Sequence, residues 1–175
     1  MNYIFSAIFL YFFLGFLLYI FQRRIVFNKS GHPGEPKDYN LDNTEEVYIK
    51  TEDNLKLLSW YHKGNNSLPL LVYFHGNSFH IGDRAYRIQR YIEKNWSVLL
   101  VSWRGFGGNE GNPTEKNLYK DAEAVLKWIK NNTEFKFKEL VIYGESLGSG
   151  AAVEIGTKYK FLSIVLEAPF TSIND

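Results

Sequence analysis

Four short, largely apolar segments constrain the fold of this chain more than any other feature. They are Leu68–Phe74, Ser97–Trp103, Glu139–Tyr143 and Leu162–Leu166. A strand that is apolar at nearly every position is covered on both faces, as in a parallel sheet. Segments with helical spacing separate the runs, over Gly82–Lys94, Asn117–Lys130 and Leu147–Tyr159. This alternation predicts an α/β fold with a mostly parallel sheet.

Two further strands precede these units. Val47–Thr51 and Leu55–His62 are predicted strands, joined at Asp53-Asn54 in a hairpin-like opening. Residues 28–44 are rich in Gly, Pro, Asn and Asp, which predicts an irregular connector.

The N-terminus carries an uncharged apolar run over residues 3–21. A helix of this length rises roughly 28 Å, which matches the hydrocarbon core of a bilayer. A buried core helix and a cleaved signal peptide are the alternatives. The run lacks a polar face, a preceding basic region and a small-residue cleavage site before Gln22, so we predict an uncleaved single-pass anchor. The predicted layout is an anchor at 3–21, a linker at 22–44 and a partial hydrolase domain at 45–175.

Charge and composition narrow the function classes. The formal net charge is +1, from 20 basic and 19 acidic side chains, which argues against a nucleic-acid binder. The absence of cysteine excludes disulfides, thiol catalysis and thiolate zinc sites. Arg23, Arg24 and Lys29 follow the apolar run, so the positive-inside rule predicts a cytoplasmic domain.

The motif Gly144-Glu145-Ser146-Leu147-Gly148 carries the chemistry. It follows a predicted strand and opens a predicted helix, where a tight turn projects a serine hydroxyl above the sheet as a nucleophile. Gly144 and Gly148 would let strand and helix approach without a Cβ clash. The alternative is an ordinary glycine-rich turn with Ser146 as a helix cap. The strand-to-helix context favours a catalytic Ser146.

A second loop supports this interpretation. His75-Gly76-Asn77 ends the first long apolar strand, where such a fold supplies half of an oxyanion hole. We expect the backbone N–H groups of Asn77 and Leu147 to meet at the developing oxyanion, with Ser78 as the neighbouring candidate. His75 precedes the serine and is expected to hydrogen-bond the loop rather than to act in catalysis.

Four segments resemble the Bem46-like branch of the α/β hydrolases, which includes the ABHD13-type membrane-anchored enzymes. They are HGN with GDR (75–77 and 82–84), RGFGGNEGNPTE (104–115), YGESLGSGAA (143–152) and LEAPFTSI (166–173). The resemblance covers nearly everything after the anchor. It implies a serine acyl hydrolase that cleaves an ester or thioester through Ser146. The glycine-rich 104–115 loop is interpreted as a structural crossover near the active-site rim.

The catalytic base is missing from the given sequence. In this fold the acid and then the histidine follow the serine, but His32, His62, His75 and His80 all precede it. Glu167 and Asp175 are interpreted as ordinary residues, because the acid normally follows a later strand. We expect a C-terminally truncated fold, or one half of a split gene, with about 80 residues absent at some 30 per βα unit.

Three hypotheses follow for function. The first is a hydrolase-family protein that is inactive alone. The second is a hydrolase completed by another polypeptide that supplies the acid and the histidine. The third is a membrane-anchored module that binds an acyl or lipid ligand without turnover. No nucleotide, flavin or metal motif is present, so no cofactor or metal is predicted.

Overall fold

The structure is a computed structural model that describes residues 2–26, 28–29 and 31–171. Ile173 of the last matching segment and Asp175 lie outside the described residues. The elements in chain order are listed here: α1 (Asn2–Val26), β1 (Asn28–Lys29), a 3-10 turn (Pro36–Tyr39), β2 (Thr44–Lys50), β3 (Lys56–His62), β4 (Leu70–Phe74), β5 (Ser78–Phe79), a 3-10 turn (Ile81–Arg84), α2 (Ala85–Ile92), β6 (Ser97–Val101), α3 (Glu115–Asn132), a 3-10 turn (Phe137–Glu139), β7 (Leu140–Glu145), α4 (Leu147–Lys158) and β8 (Ser163–Glu167).

The main sheet has the order β2-β3-β6-β4-β7-β8. The strands β6, β4, β7 and β8 are parallel, while β2 and β3 pair antiparallel at one side. This confirms the predicted α/β fold with a mostly parallel sheet. The predicted hairpin is also confirmed, and Asn54 at its turn has a φ of 64°.

Side chains of the central strands divide between two cores, because successive residues of a strand point to opposite faces. Leu70, Val72 and Phe74 face a core shared with α3 and α4. Leu71 and Tyr73 face a second core, which includes Ile88 of α2. All five residues of β4 and all five of β6 are buried, as their continuous apolar sequences predict.

Helix α1 contains one stretch, Tyr3–Gln22, that is long and apolar enough to cross a membrane. Its mean hydropathy is 2.4, and none of it is buried against the rest of the chain. This argues against the alternative of a buried core helix.

The connector is more ordered than its composition predicts. Strand β1 pairs in parallel with β5, with Asn28 opposite Ser78 and Lys29 opposite Phe79. Further on, the Tyr39 hydroxyl donates to the Pro33 carbonyl at 2.6 Å, and its ring packs on Trp60. The pairing with β5 and the packing on Trp60 involve partners far along the chain, which local turn composition does not predict.

Candidate active site

Ser146 lies at the sharp turn between β7 and α4, with φ 47° and ψ −113°. This is an unfavourable conformation for a residue with a Cβ, and such strain is concentrated at functional sites. The backbone N–H of Ser146 donates to the carbonyl of Glu167 on β8 at 2.8 Å, so the neighbouring strand supports the turn. The geometry is that of a strained strand-to-helix elbow that presents a serine.

Two glycines make this turn possible. A Cβ on Gly148 would lie 2.1 Å from the carbonyl oxygen of Phe74, at the end of β4. A Cβ on Gly144 would lie 2.7 Å from the backbone of both Gly148 and Ser149. In each case the obstacle includes backbone atoms, which cannot move without displacing a strand or helix. Both positions therefore require glycine for this close approach of strand and helix.

The loop after β4 approaches the serine at Gly76. A Cβ on Gly76 would lie 3.3 Å from Ser146 Cβ and 3.1 Å from Glu145 Oε1. Asn77, the next residue, is half-buried beside this contact. Leu147 is the first residue of α4, where amide groups have no acceptor within the helix. The assignment of the Asn77 and Leu147 amides to an oxyanion hole stays a prediction that this placement favours.

His75 is fully buried and binds within the loop. Its Nε2 accepts a hydrogen bond from the backbone N–H of Trp103 at 3.5 Å. Its Nδ1 donates to the Gly76 carbonyl at 2.7 Å. These roles require the neutral imidazole. Burial, helped by the positive charge of Arg84, lowers the pKa of His75 to about 3. The ring therefore holds the loop that carries Gly76 and Asn77.

No described histidine forms a hydrogen bond with Ser146. His62 lies on β3 and contacts the Thr44 hydroxyl at 3.2 Å, while His80 contacts Asp83 at 3.0 Å. The carboxylate of Glu167 accepts hydrogen bonds from Tyr143 and Arg87, at 2.6 Å each, so it is engaged away from the serine. Among the described residues, no group of three or more His, Cys, Asp or Glu side chains is placed to hold a metal ion.

The glycine-rich loop that follows β6 is anchored by Arg104. Its guanidinium donates to Asp121 of α3 and to Asp53 of the β2–β3 turn. Gly105, Gly107, Gly108 and Gly111 all have positive φ values. Burial raises the pKa of Asp121. These contacts tie the loop to α3 and to the β2–β3 turn, and the residues that hold it are far apart in the chain.

Sequence reasoning missed one pair at the site. Arg84 and Glu145, which lie in the matching segments GDR and GES, form a two-point ion pair beside the serine. Each segment signals function separately, but no local pattern connects residues 61 positions apart.

The sequence of this chain matches a protein family and several relatives in other organisms. Residues 66–175 match the family model Hydrolase_4, described as serine aminopeptidase, S33. Protein bem46 of Schizosaccharomyces pombe is 31% identical over 93% of this chain and 58% of its own length. An uncharacterized membrane protein of Saccharomyces cerevisiae is 31% identical over 89% of this chain and 57% of its own length.

Among solved structures, the esterase Pf2001 of Pyrococcus furiosus superposes with a TM-score of 0.68. It is 27% identical, and the match covers 81% of this chain and 58% of the esterase. This chain thus spans little more than half the length of these proteins.

Proposed function

Because this chain belongs to the α/β-hydrolase family, as its motifs predicted, we propose that it is the nucleophile-bearing part of a membrane-anchored serine hydrolase. The reaction class is hydrolysis of a carboxylic ester or thioester, with Ser146 as the nucleophile. The observation that carries the proposal is the strained conformation of Ser146, between the strand end of β7 and the start of α4. An ordinary helix cap needs no such strain.

The mechanism assigns a role to each part of the site. The Ser146 hydroxyl attacks the acyl carbonyl, and the carbonyl oxygen gains negative charge. The amides of Asn77 and Leu147 stabilise that oxygen, and the N-terminus of α4 adds a favourable dipole. Loss of one such donor costs about 3–4 kcal/mol of transition-state stabilisation.

A base must still take the proton from Ser146. A serine hydroxyl without a base at hydrogen-bond distance is a poor nucleophile at neutral pH. The four histidines of the given sequence precede the serine, and His75 is buried in the loop. We therefore propose that a polypeptide of these 175 residues is inactive alone, and that catalysis needs an acid and a histidine from further residues.

The short connection between the apolar span and the catalytic loop supports a substrate in the membrane. The apolar span ends at Gln22, and Asn28 already pairs with Ser78 in the loop beyond Asn77. The helix rises about 6 Å from Gln22 to Val26, and two further residues cannot add more than about 7 Å, so the distance is at most about 13 Å. The headgroup layer accounts for about 5–8 Å of that distance. The catalytic loop is thereby held near the bilayer surface, where the acyl ester of an amphiphile is within reach.

We further infer a cytoplasmic domain, from Arg23 and Arg24.

The test is an ester-hydrolysis assay on membranes that carry the chain. The chain is expressed alone and together with the part of Protein bem46 that lies outside the matched 58% of its length. We expect hydrolysis of an acyl ester in phospholipid vesicles only in the combined preparation, and none after Ser146→Ala. Replacement of residues 3–21 by an unrelated membrane span should preserve activity. Removal of the span should reduce activity on vesicles more than on a short soluble ester.

A non-catalytic lipid-binding module is the second candidate, because no described histidine forms a hydrogen bond with Ser146. It predicts no hydrolysis in either preparation. It also predicts an increase in melting temperature with an acyl lipid, since a ligand that binds the native state stabilises it.

A further inference from the structure

Arg84 joins the two halves of the candidate active site. Its Nη2 and Nε donate to the carboxylate of Glu145 at 2.9 and 3.1 Å. Its Nη1 donates to the carbonyl of Ser78, in the loop beyond Asn77, at 2.7 Å. The Arg84 residue is only 8% exposed. A two-point pair of this kind fixes geometry as well as adding energy, so one buried side chain holds both the elbow and the oxyanion loop.

The carboxylate of Glu145 makes this contact chemically significant. Burial raises the pKa of Glu145, but the hydrogen bonds and positive charge of Arg84 oppose burial. The Tyr73 hydroxyl, which donates to Oε2 at 2.9 Å, and the charge of Arg87 add smaller effects, and the pKa is lowered overall. The carboxylate is therefore ionised at neutral pH. It precedes Ser146 in the chain, and a Cβ on Gly76 would lie 3.1 Å from its Oε1 and 3.3 Å from the Ser146 Cβ. An uncompensated negative charge there would oppose deprotonation of the nucleophile and formation of an oxyanion.

Arg87, in the first turn of α2, forms an ion pair that contrasts with that of Arg84. Arg87 pairs with Glu167 at 2.6 Å, but the two side chains are 30% and 38% exposed. That contact involves one guanidinium nitrogen of Arg87 and does not include the oxyanion loop. Exposed pairs of this type contribute little to stability. Arg87, on the helix that directly follows Arg84, is thus a matched control for it.

We propose that Arg84 is a positioning residue that neutralises Glu145 beside the nucleophile and fixes the loop that carries Asn77. This inference rests on the proposed function of Ser146, which it deepens. Arg84 does not touch the reacting atoms. It sets the electrostatic potential at the elbow and the spacing of the two groups that would stabilise the oxyanion.

The experiment uses the thiol introduced by Ser146→Cys in the full chain. The pKa of that thiol is measured from the pH dependence of its alkylation by iodoacetamide, because the thiolate is the reactive form. Adding Arg84→Met should raise the thiol pKa by about one unit, which slows alkylation at pH 7 about tenfold. Adding Glu145→Gln as well should reverse most of the change. Arg87→Met should leave the rate within about twofold, as expected for an exposed pair.

Thermal unfolding identifies variants that are not folded. If Arg84→Met does not fold in the Ser146→Cys background, Glu145→Gln in that background is decisive. It removes the negative charge that balances Arg84, so alkylation at pH 7 should become faster. An unchanged thiol pKa in folded Arg84→Met would overturn the proposal. A folded Glu145→Gln variant with slower alkylation would do the same. The thiol reports the local charge without an acid or a histidine, so this result is independent of whether the protein hydrolyses an ester.

Discussion

The strands β6 and β8 have similar sequences, SVLLV and SIVLE, but different environments. β6 lies between β3 and β4, and all five of its residues are buried. β8 pairs only with β7 among the described residues, and Ile164, Val165 and Leu166 remain 38–39% exposed. The sequence of an apolar strand therefore shows that the strand needs to be covered. Whether it is buried depends on the elements beside it.

An apolar edge strand of this kind is a template for further pairing, and proteins normally cover or modify such edges. Continued pairing at β8 would place new residues beside the elbow, because the carbonyl of Glu167 already accepts from the Ser146 N–H. The same edge is where the family's acid and histidine are expected. The contrast between the closed part of the sheet and the β8 edge therefore bears directly on function.

Truncation of one side chain in each strand tests the contrast most strongly. Leu99→Ala in β6 should lower the free energy of unfolding by about 2–5 kcal/mol, since it leaves a cavity in a close-packed core. Ile164→Ala in β8 should cost about 1 kcal/mol, because much of that side chain is already in contact with water. Urea unfolding of both variants measures the difference. Equal costs would mean that β8 is covered in solution.

Two glycines of α4 provide a second matched pair. Gly148→Ala places a methyl group against the Phe74 carbonyl oxygen and should destabilise the protein by about 3 kcal/mol. A Cβ on Gly150 would lie 3.1 Å from the ring tip of Phe170, which is itself 37% exposed. Moving that ring is offset by the better helix propensity of alanine, so Gly150→Ala should change stability by less than about 1 kcal/mol. Similar melting temperatures for the two variants would contradict the close packing described for the elbow.

The pH dependence of stability probes the closed region through His75. Its pKa is about 3 in the folded protein and about 6.5 when unfolded, so below pH 6.5 the unfolded state binds more protons. Stability is fully present above that pH and falls as the pH decreases toward 3. We expect a loss of roughly 2–3 kcal/mol by pH 4.5. Urea midpoints for wild type and His75→Gln measure it, and the variant should have a flatter profile. An equal slope would show that His75 is not buried in its neutral form.

The central strands, the elbow and the mostly parallel order could be predicted because each has a local signature. The runs Leu68–Phe74 and Ser97–Trp103 gave strands within two residues of the observed ends. The Gly144–Gly148 motif gave the strand-to-helix turn. In contrast, the pairing of β1 with β5 involves only two residues per strand and leaves no periodic pattern. The Arg84–Glu145 ion pair depends on how β4, β7 and α2 meet, which spacing along the chain does not encode.

The most direct test of the proposed function is labelling of Ser146 by a fluorophosphonate probe, followed by identification of the modified peptide. We predict that the purified 175-residue polypeptide is essentially unlabelled. We also predict that it becomes labelled at Ser146 when further residues supply an acid and a histidine, and that Ser146→Ala abolishes this labelling. Strong labelling of the polypeptide alone, lost in Ser146→Ala, would contradict the proposal that its base lies outside these residues. Absence of labelling in the completed protein would contradict the nucleophilic role of Ser146.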